Sequence, residues 1–450
     1  MRPDLIARYA EERLPRYTSY PTAPHFSPAV GPAIYAEWLE SIPAGTPTSL
    51  YVHVPYCRRM CWYCGCNTAV TLRDKPVADY GETLQAEIAL VRRCLAKSLP
   101  VVHLHFGGGT PTIMAPTLFQ RLMETLRASF DFRADAEIAI EIDPRTLTGA
   151  MVAALAAAGV NRASLGVQSL DPLVQRAINR VQTYDETARA VRWLRAAGIR
   201  GINLDLIYGL PHQTVASAVE TVTECLALGP DRVAVFGYAH VPAFKRHQRK
   251  IDAAALPGGP ARNAQAEAIG ERLVAAGYRQ IGIDHYARAE DPLAVAGATG
   301  RLHRNFQGYT TDPADLLIGL GASAIGRQAQ GYVQNDPVVR SYAANIAAGR
   351  LATVRGRTLT ADDRLRGEVI ERLMCDFRVD LDAVCQHHGG DAGRFADALA
   401  KIDRLAADGI VRRDGGLVEV EPEARGLARA VASSFDAYLT GSTGIHSPMV

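Results

Sequence analysis

The 450-residue chain has almost no net charge, because 49 basic and 47 acidic residues leave only +2. No global field therefore selects nucleic acid or a membrane surface as partner, and an anionic ligand has to be met by local arginines. No apolar run approaches the length of a bilayer span. Nothing at Met1 reads as a charged, then apolar, then small-residue leader. The chain is thus expected to stay in the cytoplasm, where disulfides do not persist. Low-complexity tracts and long internal repeats are also missing. What remains, at 48% hydrophobic and 21% charged residues, is an ordinary soluble composition with ample core.

Against that background one stretch stands out. YVHVPYCRRMCWYCGCN, residues 51–67, holds four of the eight cysteines. Cys94, Cys225, Cys375 and Cys385 are scattered through helix-like stretches and read as small buried hydrophobes. Cys57, Cys61 and Cys64 have the spacing C-x3-C-x2-C, and Cys66 follows one residue later. Structural zinc sites usually draw on two separated ligand pairs, and no second Cys or His pair stands at such a spacing. Iron–sulfur clusters accept thiolates from a single loop, and three ligands to a four-iron cluster leave one iron open.

The middle of the chain repeats one grammar. AAGVNRASLGV (157–167), AAGIRGINLDL (196–206) and AAGYRQIGID (275–284) each end a helix at a glycine and start a strand, and LALGPDRVAVFGY (226–238) is a looser copy. Strands are expected at 49–54, 101–106, 137–142, 162–167, 202–208 and 232–238. Between them, Tyr80, Leu84, Ile88, Val91 and Leu95 mark one helical face. Helices between successive strands imply a parallel sheet with right-handed crossovers. Unusual residues close every strand: the cysteines, GGGTPT (107–112), Glu141 with DPR, Gln168, Asp205 with YGLP, and YAHVP (238–242). Special residues at all the carboxyl ends favour a barrel over a doubly wound sheet, whose sites gather at one switch point.

The expected organisation is α/β, a partial (β/α)6 barrel over 46–290. An extended N-terminal arm (1–45) precedes it and carries PRYTSYPTAPHF. A connecting extension (291–357) follows, then a small α+β domain of winged-helix outline (358–450), with helices at 361–376 and 391–408, a hairpin, and a last helix to Leu439. No basic stripe accompanies that outline, so a lid or docking role is expected of it rather than DNA binding. His103 and His105 share a strand face, yet no third ligand stands at suitable spacing, so they are read as satisfied core histidines. His387 and His388 fall in a polar loop. GLGASAIG (319–326) lacks dinucleotide-loop spacing and is read as close packing against a cofactor edge.

The cysteine loop after the first strand resembles the radical S-adenosylmethionine (SAM) enzymes. In detail the chain is similar to the oxygen-independent coproporphyrinogen III oxidases of haem biosynthesis. The matching stretches are RYTSYPTA, YVHVPYC, CGCN, HFGGGTPT, EIDPR, GVQS, NLDLIYGLP, YAHVP, HRNFQGYTT and GASAI. The resemblance implies one 4Fe–4S cluster on Cys57, Cys61 and Cys64, and two SAM molecules. Tyr51, Gly108, Glu141 and Ile325 would contact the first SAM. Tyr63, Gly109, Thr110, Gln168, Arg180, Asp205 and Ala239 would contact the second. Tyr63 stands where the family often has phenylalanine, and both are aromatic.

The implied activity is oxidative decarboxylation of two propionates of coproporphyrinogen III to vinyls by a 5′-deoxyadenosyl radical, giving protoporphyrinogen IX. It needs a low-potential electron donor and an electron acceptor, neither named by the sequence. A monomer is expected, without nucleic acid or membrane as partner. The glycines of GGGT are expected to allow close backbone approach and to offer free N–H groups. Cys66 is expected to line the chamber without ligating the cluster. Arg16, Arg288, Arg301 and Arg304 are the candidates for holding propionates. Two alternatives stand beside this reading: a haem-carrying chaperone of the same fold, whose kind typically lacks the Cys66 equivalent and the RYTSYPT arm, and a zinc-stabilised adaptor. A further relative class opens the haem ring by methyl transfer.

Overall fold

The computed structural model describes residues 5, 8, 9 and 12–439. Six parallel strands form its centre: β1 (Thr48–Val54), β2 (Pro100–Gly108), β3 (Asp131–Ile142), β4 (Arg162–Gln168), β5 (Gly201–Tyr208) and β6 (Arg232–Gly237). They lie side by side in chain order, each hydrogen-bonded in parallel to the next. The longer helices between them are α1 (Lys75–Cys94), α2 (Pro116–Ser129), α3 (Gly149–Ala157), α4 (Tyr184–Ala196) and α5 (Val215–Ala227). All six expected strands are present, with ends shifted by a few residues at most except at β3, which begins earlier.

Local chemistry explains these boundaries. Gly159, Gly198, Gly229 and Gly277, the four glycines of the repeated grammar, take φ of +80°, +87°, +63° and +89°. Those values suit glycine and terminate the preceding helices. Thr183 and Thr214 open α4 and α5 with reciprocal capping boxes. The apolar face read in α1 is buried throughout, from Tyr80 to Leu95. Glu87 sits on that same face, 2% exposed. Its carboxylate accepts from the Gly321 N–H (2.6 Å), Asn335 Nδ2 (2.6 Å) and the Tyr342 hydroxyl (2.7 Å), which ties α1 to the barrel extension.

After β6 come α6 (Gly259–Ala275), then β7 (Tyr278–Ile281) and β8 (His285–Arg288). The strand of AAGYRQIGID thus forms, but as half of an antiparallel hairpin at the sheet edge, with β8 antiparallel to β6. On the other side, β9 (Leu316–Leu320) pairs in parallel with β1. β10 (Ile325–Gln328), β11 (Gly331–Asn335) and β12 (Thr353–Thr358) continue antiparallel, giving a twelve-stranded sheet.

The terminal segments differ from the expectation in two ways. Residues 1–45 are not wholly extended, because Pro32–Glu40 is a helix with Tyr35, Trp38 and Leu39 buried. The expected last helix is short: α9 (Ala428–Ser433) ends well before Leu439. The C-terminal unit otherwise has α7 (Ala361–Cys375), α8 (Ala396–Ala407) and a three-stranded sheet of Arg378–Asp380, Leu417–Val420 and Val411–Asp414. Its hydrophobic core also takes in the arm: Leu14, Tyr17 and Tyr20 pack with Leu365, Val369 and Phe435.

Candidate active site

The cysteine loop leaves the carboxyl end of β1 and is closed by a two-residue ladder that pairs Cys57 with Val70. Cys57 Sγ lies 3.3 Å from Thr110 Oγ1. Cys61 Sγ accepts from Arg180 Nη1 at 3.5 Å and from Arg145 Nη2 at 3.7 Å. Cys64 Sγ accepts the Cys66 N–H at 3.4 Å. All eight cysteines are free thiols.

Burial pushes the Cys57 thiol up to about 12, against the Thr110 hydrogen bond. Cys64 is held down to about 7, chiefly by the hydrogen bond from the Cys66 thiol, with Lys245 and Arg180 adding positive charge. The loop therefore carries one readily formed thiolate among thiols that a bound metal would have to deprotonate.

Two adjoining cavities open at the carboxyl ends of the strands. One, of about 470 Å³, is lined by the three thiols together with Tyr63, Gly109, Thr110, Gln168, Arg180 and Ala239. The other, of about 570 Å³, is lined by Tyr51, His105, Asn203 and Ile325. Cys66, Gly108, Glu141 and Asp205 line both. The seven-residue set assigned to the second SAM thus shares its space with the thiols, and the Tyr51–Ile325 set surrounds the neighbouring chamber.

The glycine run approaches closely, but to the protein's own chain. A Cβ on Gly109 would stand 2.6 Å from Tyr56 O, and one on Gly108 (φ +111°) would stand 2.5 Å from the His53 ring. The expected free N–H groups are taken: Gly108 donates to Glu141 Oε2 (3.1 Å), Gly109 to Val54 O (2.8 Å) and Thr110 to Tyr56 O (2.8 Å). The run splices β2 against the start of the cysteine loop.

Two carboxylates at strand ends are set differently. Burial alone would raise Glu141, but His105, the Gly108 N–H and His53 outweigh it and hold the group below the usual range. Asp205 accepts from Ser164 Oγ and Asn203 Nδ2, both at 2.7 Å. Burial and the Glu141 charge still push it up to about 6. Gln168 adopts φ +71°, uncommon for a residue with a side chain, where β4 bulges against β5.

Asp143 and Arg145, from the EIDPR stretch, carry no sequence signal of a role of their own. Arg145 chelates Asp143 through Nε (2.9 Å) and Nη2 (2.6 Å), and Asp143 also faces Arg180 at 3.6 Å. This relay aims two guanidinium groups at Cys61. Arg180 is 6% exposed, and its Nε finds no partner among the described residues. His103 is satisfied as expected, 3.2 Å from Glu137 Oε1, and His105 faces Glu141 Oε1 at 3.3 Å.

The candidate propionate arginines separate into two pairs. Arg16 donates to Gly237 O (3.0 Å), and Arg304 donates to Arg16 O through Nε and Nη2, both at 3.3 Å. Both line a third cavity of about 420 Å³ at the mouth, with Asp284 and with Arg429 of α9. Arg16 also reaches the thiol cavity. Burial lowers the Arg16 guanidinium, with Arg304 adding like charge against Asp284. Arg429 gave no sequence signal, because its helix lies more than 400 residues from Arg16 in the chain.

Arg288 and Arg301 do not join them. Arg288 donates to Pro230 O (3.0 Å), at the amino end of β6 and so the opposite rim. Arg301 is exposed and donates to Thr299 Oγ1 (3.0 Å).

The chemistry of the donor set can be weighed against the candidate metals. A lone zinc ion would be enclosed by four ligands. Here the thiols, Cys66 included, line about 470 Å³ of open space beside buried guanidinium donors, one with an unpartnered nitrogen, rather than closing on a single ion. That space and polarity fit a cluster with an open iron and an organic ligand bearing a carboxylate.

Comparison with known proteins bears on the same residues. Residues 51–225 match the radical SAM superfamily, and residues 359–427 match the HemN C-terminal domain. The chain is 56% identical over 450 residues to the oxygen-independent coproporphyrinogen III oxidase of Bradyrhizobium diazoefficiens, covering 100% of both. It is 43% identical over 440 residues to that of Pseudomonas aeruginosa, covering 97% of this chain and 95% of the other. The solved coproporphyrinogen III oxidase (HemN) from Escherichia coli, described as a radical SAM enzyme, superposes with a TM-score of 0.90 at 41% identity. That match covers 94% of this chain and 98% of the other. A full-length match to named oxidases, with thiols converging where a radical SAM fold holds its metal, settles the family: the chain belongs to the oxygen-independent coproporphyrinogen III oxidases.

Proposed function

We propose that this chain converts coproporphyrinogen III to protoporphyrinogen IX without oxygen, decarboxylating two propionates to vinyls. The observation that carries this reading is the 56% identity, over the whole length of both chains, to an enzyme of that name. It supports the oxidase and neither the haem-carrying chaperone nor the zinc adaptor.

Cys57, Cys61 and Cys64 would hold a 4Fe–4S cluster, and the two adjoining cavities would each take one SAM. When bound, these groups supply one-electron cleavage of SAM to a carbon radical that takes hydrogen from the propionate chain. The chain's own residues do the rest. Arg180 and Arg145 place two guanidinium donors at the Cys61 sulfur. Glu141, kept ionised, would accept from an amino group, and Asp205 from ribose hydroxyls. Arg16 and Arg304, with Arg429, would hold carboxylates at the mouth and so orient the macrocycle. The arm that carries Arg16 lies at the mouth, where Arg16 lines both the outer and the thiol cavity. Cys66 lines both cavities and would face substrate or SAM rather than the metal.

The chain is proposed to act in the cytoplasm as a monomer, drawing electrons from a low-potential donor and passing them to a separate acceptor. Among the described residues, no helix is long and apolar enough to cross a membrane. The test is anaerobic reconstitution with iron and sulfide, then incubation with SAM, reductant and coproporphyrinogen III. Two successive losses of carbon dioxide should appear in the porphyrin mass spectrum. Unchanged substrate from protein with a full complement of iron would sink the reading, and so would stoichiometric zinc in place of iron.

A further inference from the structure

The cysteine loop is covered by the short 3-10 turn Arg246–Lys250, whose Gln248 lines the thiol cavity while its cations face outward. Three hydrogen bonds fasten the two segments. His247 Nε2 meets Cys64 O at 2.7 Å, Lys245 Nζ donates to Cys66 O at 3.1 Å, and Gln248 Nε2 donates to Tyr63 O at 3.0 Å. The residues that fasten the turn are therefore Lys245, His247 and Gln248. The residues between and after them, Arg246, Arg249 and Lys250, are exposed.

The stretch KRHQRK contains no acid, and Arg59 of the cysteine loop is exposed as well. Among the described residues, none of Arg59, Arg246, Arg249 and Lys250 forms an ion pair. Their neighbours Arg58 and Lys75 are neutralised by Asp74 and Asp79. Arg249 donates only to Pro242 O (3.3 Å), and Lys250 lies 5.8 Å from the Trp62 ring centre.

A charge run is usually a solvated face. This one differs in carrying uncompensated cations on a chain whose whole net charge is +2. It also has apolar company, because Phe244 is 60% exposed in the same segment. An exposed apolar residue with a cationic surround has the composition of a small, transient docking surface.

We propose that this face docks an acidic one-electron carrier protein, directly over the thiols. The proposal rests on the cluster reading above and deepens it by naming the class of donor. In the encounter one electron passes from carrier to cluster. The carrier is oxidised, the cluster is reduced, and no bond or proton is exchanged. The cations speed the approach of an acidic partner and fix its orientation, while the hydrogen bonds of Lys245, His247 and Gln248 keep the surface in register with the loop.

The test uses full-length reconstituted protein and flavodoxin as the probe. Binding is measured by titration calorimetry at low and at near-physiological salt. Wild type should bind, with affinity falling as salt rises. The triple variant R246E/R249E/K250E should bind at least about tenfold more weakly with a flattened salt dependence, while iron content, circular dichroism and dithionite-driven turnover match wild type. R246A/K250A, a milder change, should lie between the two. Failure of wild type to bind, salt-independent binding, or undiminished binding by the triple variant overturns the proposal. So does a raised KM for coproporphyrinogen III in the dithionite assay, which would assign the patch to the anionic substrate instead. Absence of dithionite-driven turnover by wild type would instead count against the oxidase reading, which the binding titration does not measure.

Discussion

Asp205 and Cys66 carry the sharpest expectations at the scale of single residues. Asp205 is pushed up to about 6, so at pH 5 most of it is protonated and no longer offers an ionised acceptor to the ribose hydroxyls proposed for it. A ligand that prefers the ionised form loses affinity as pH falls through that value, about tenfold per unit below it. SAM affinity measured from pH 5 to 8 should therefore rise and then level off, and Asp205→Asn should flatten the profile. Cys66→Ser should keep its iron and its oxidised cluster spectrum yet lose most turnover, because the thiol lines the chamber and the proposed ligands are Cys57, Cys61 and Cys64. Loss of iron would make Cys66 a ligand. Arg304→Ala should raise the apparent KM at least about tenfold with iron unchanged, as expected when a carboxylate loses a buried partner. Arg288→Ala should leave KM alone, since its guanidinium sits on the opposite rim.

The splice between β2 and the cysteine loop shows what an element contributes beyond its residues. Gly109→Ala puts a methyl against the Tyr56 backbone, with no flexible side chain to give way. The loop must shift, and iron incorporation should fall sharply by metal analysis even where the circular dichroism of the barrel is normal. Much of this layout is legible in the sequence, because each strand end carries unusual residues and each helix stops at a glycine. The six barrel strands and the buried face of α1 follow from periodicity, which is a local signal. Arg429, the Asp143–Arg145 relay and the antiparallel turn of β7 against β8 are not legible in that way. They depend on which distant elements meet, and nothing in a local pattern encodes that. Glu87 is similar: a lone acid on an apolar helical face looks like an error until its three donors arrive from residues 321, 335 and 342. All three are donors, so Glu87→Gln sets an amide N–H against one of them. That should lower stability by about 1–3 kcal/mol in a denaturant titration.

At the scale of the whole molecule, the arm and the C-terminal unit share one core. Tyr17 and Tyr20 are 4% and 6% exposed inside it, and the Tyr17 hydroxyl donates to Asp436 at 3.1 Å. Residues 358–450 expressed alone should therefore melt without a cooperative transition, and adding a peptide of residues 12–26 should restore part of it. A sharp transition for the fragment alone would show that the shared core is dispensable. The same arrangement has a consequence for how the protein is made. The arm leaves the ribosome 419 residues ahead of its partner Asp436. Throughout synthesis the barrel can close its sheet while its mouth has no cover. Iron and sulfide thus reach the thiols most freely in the interval before α9 is released.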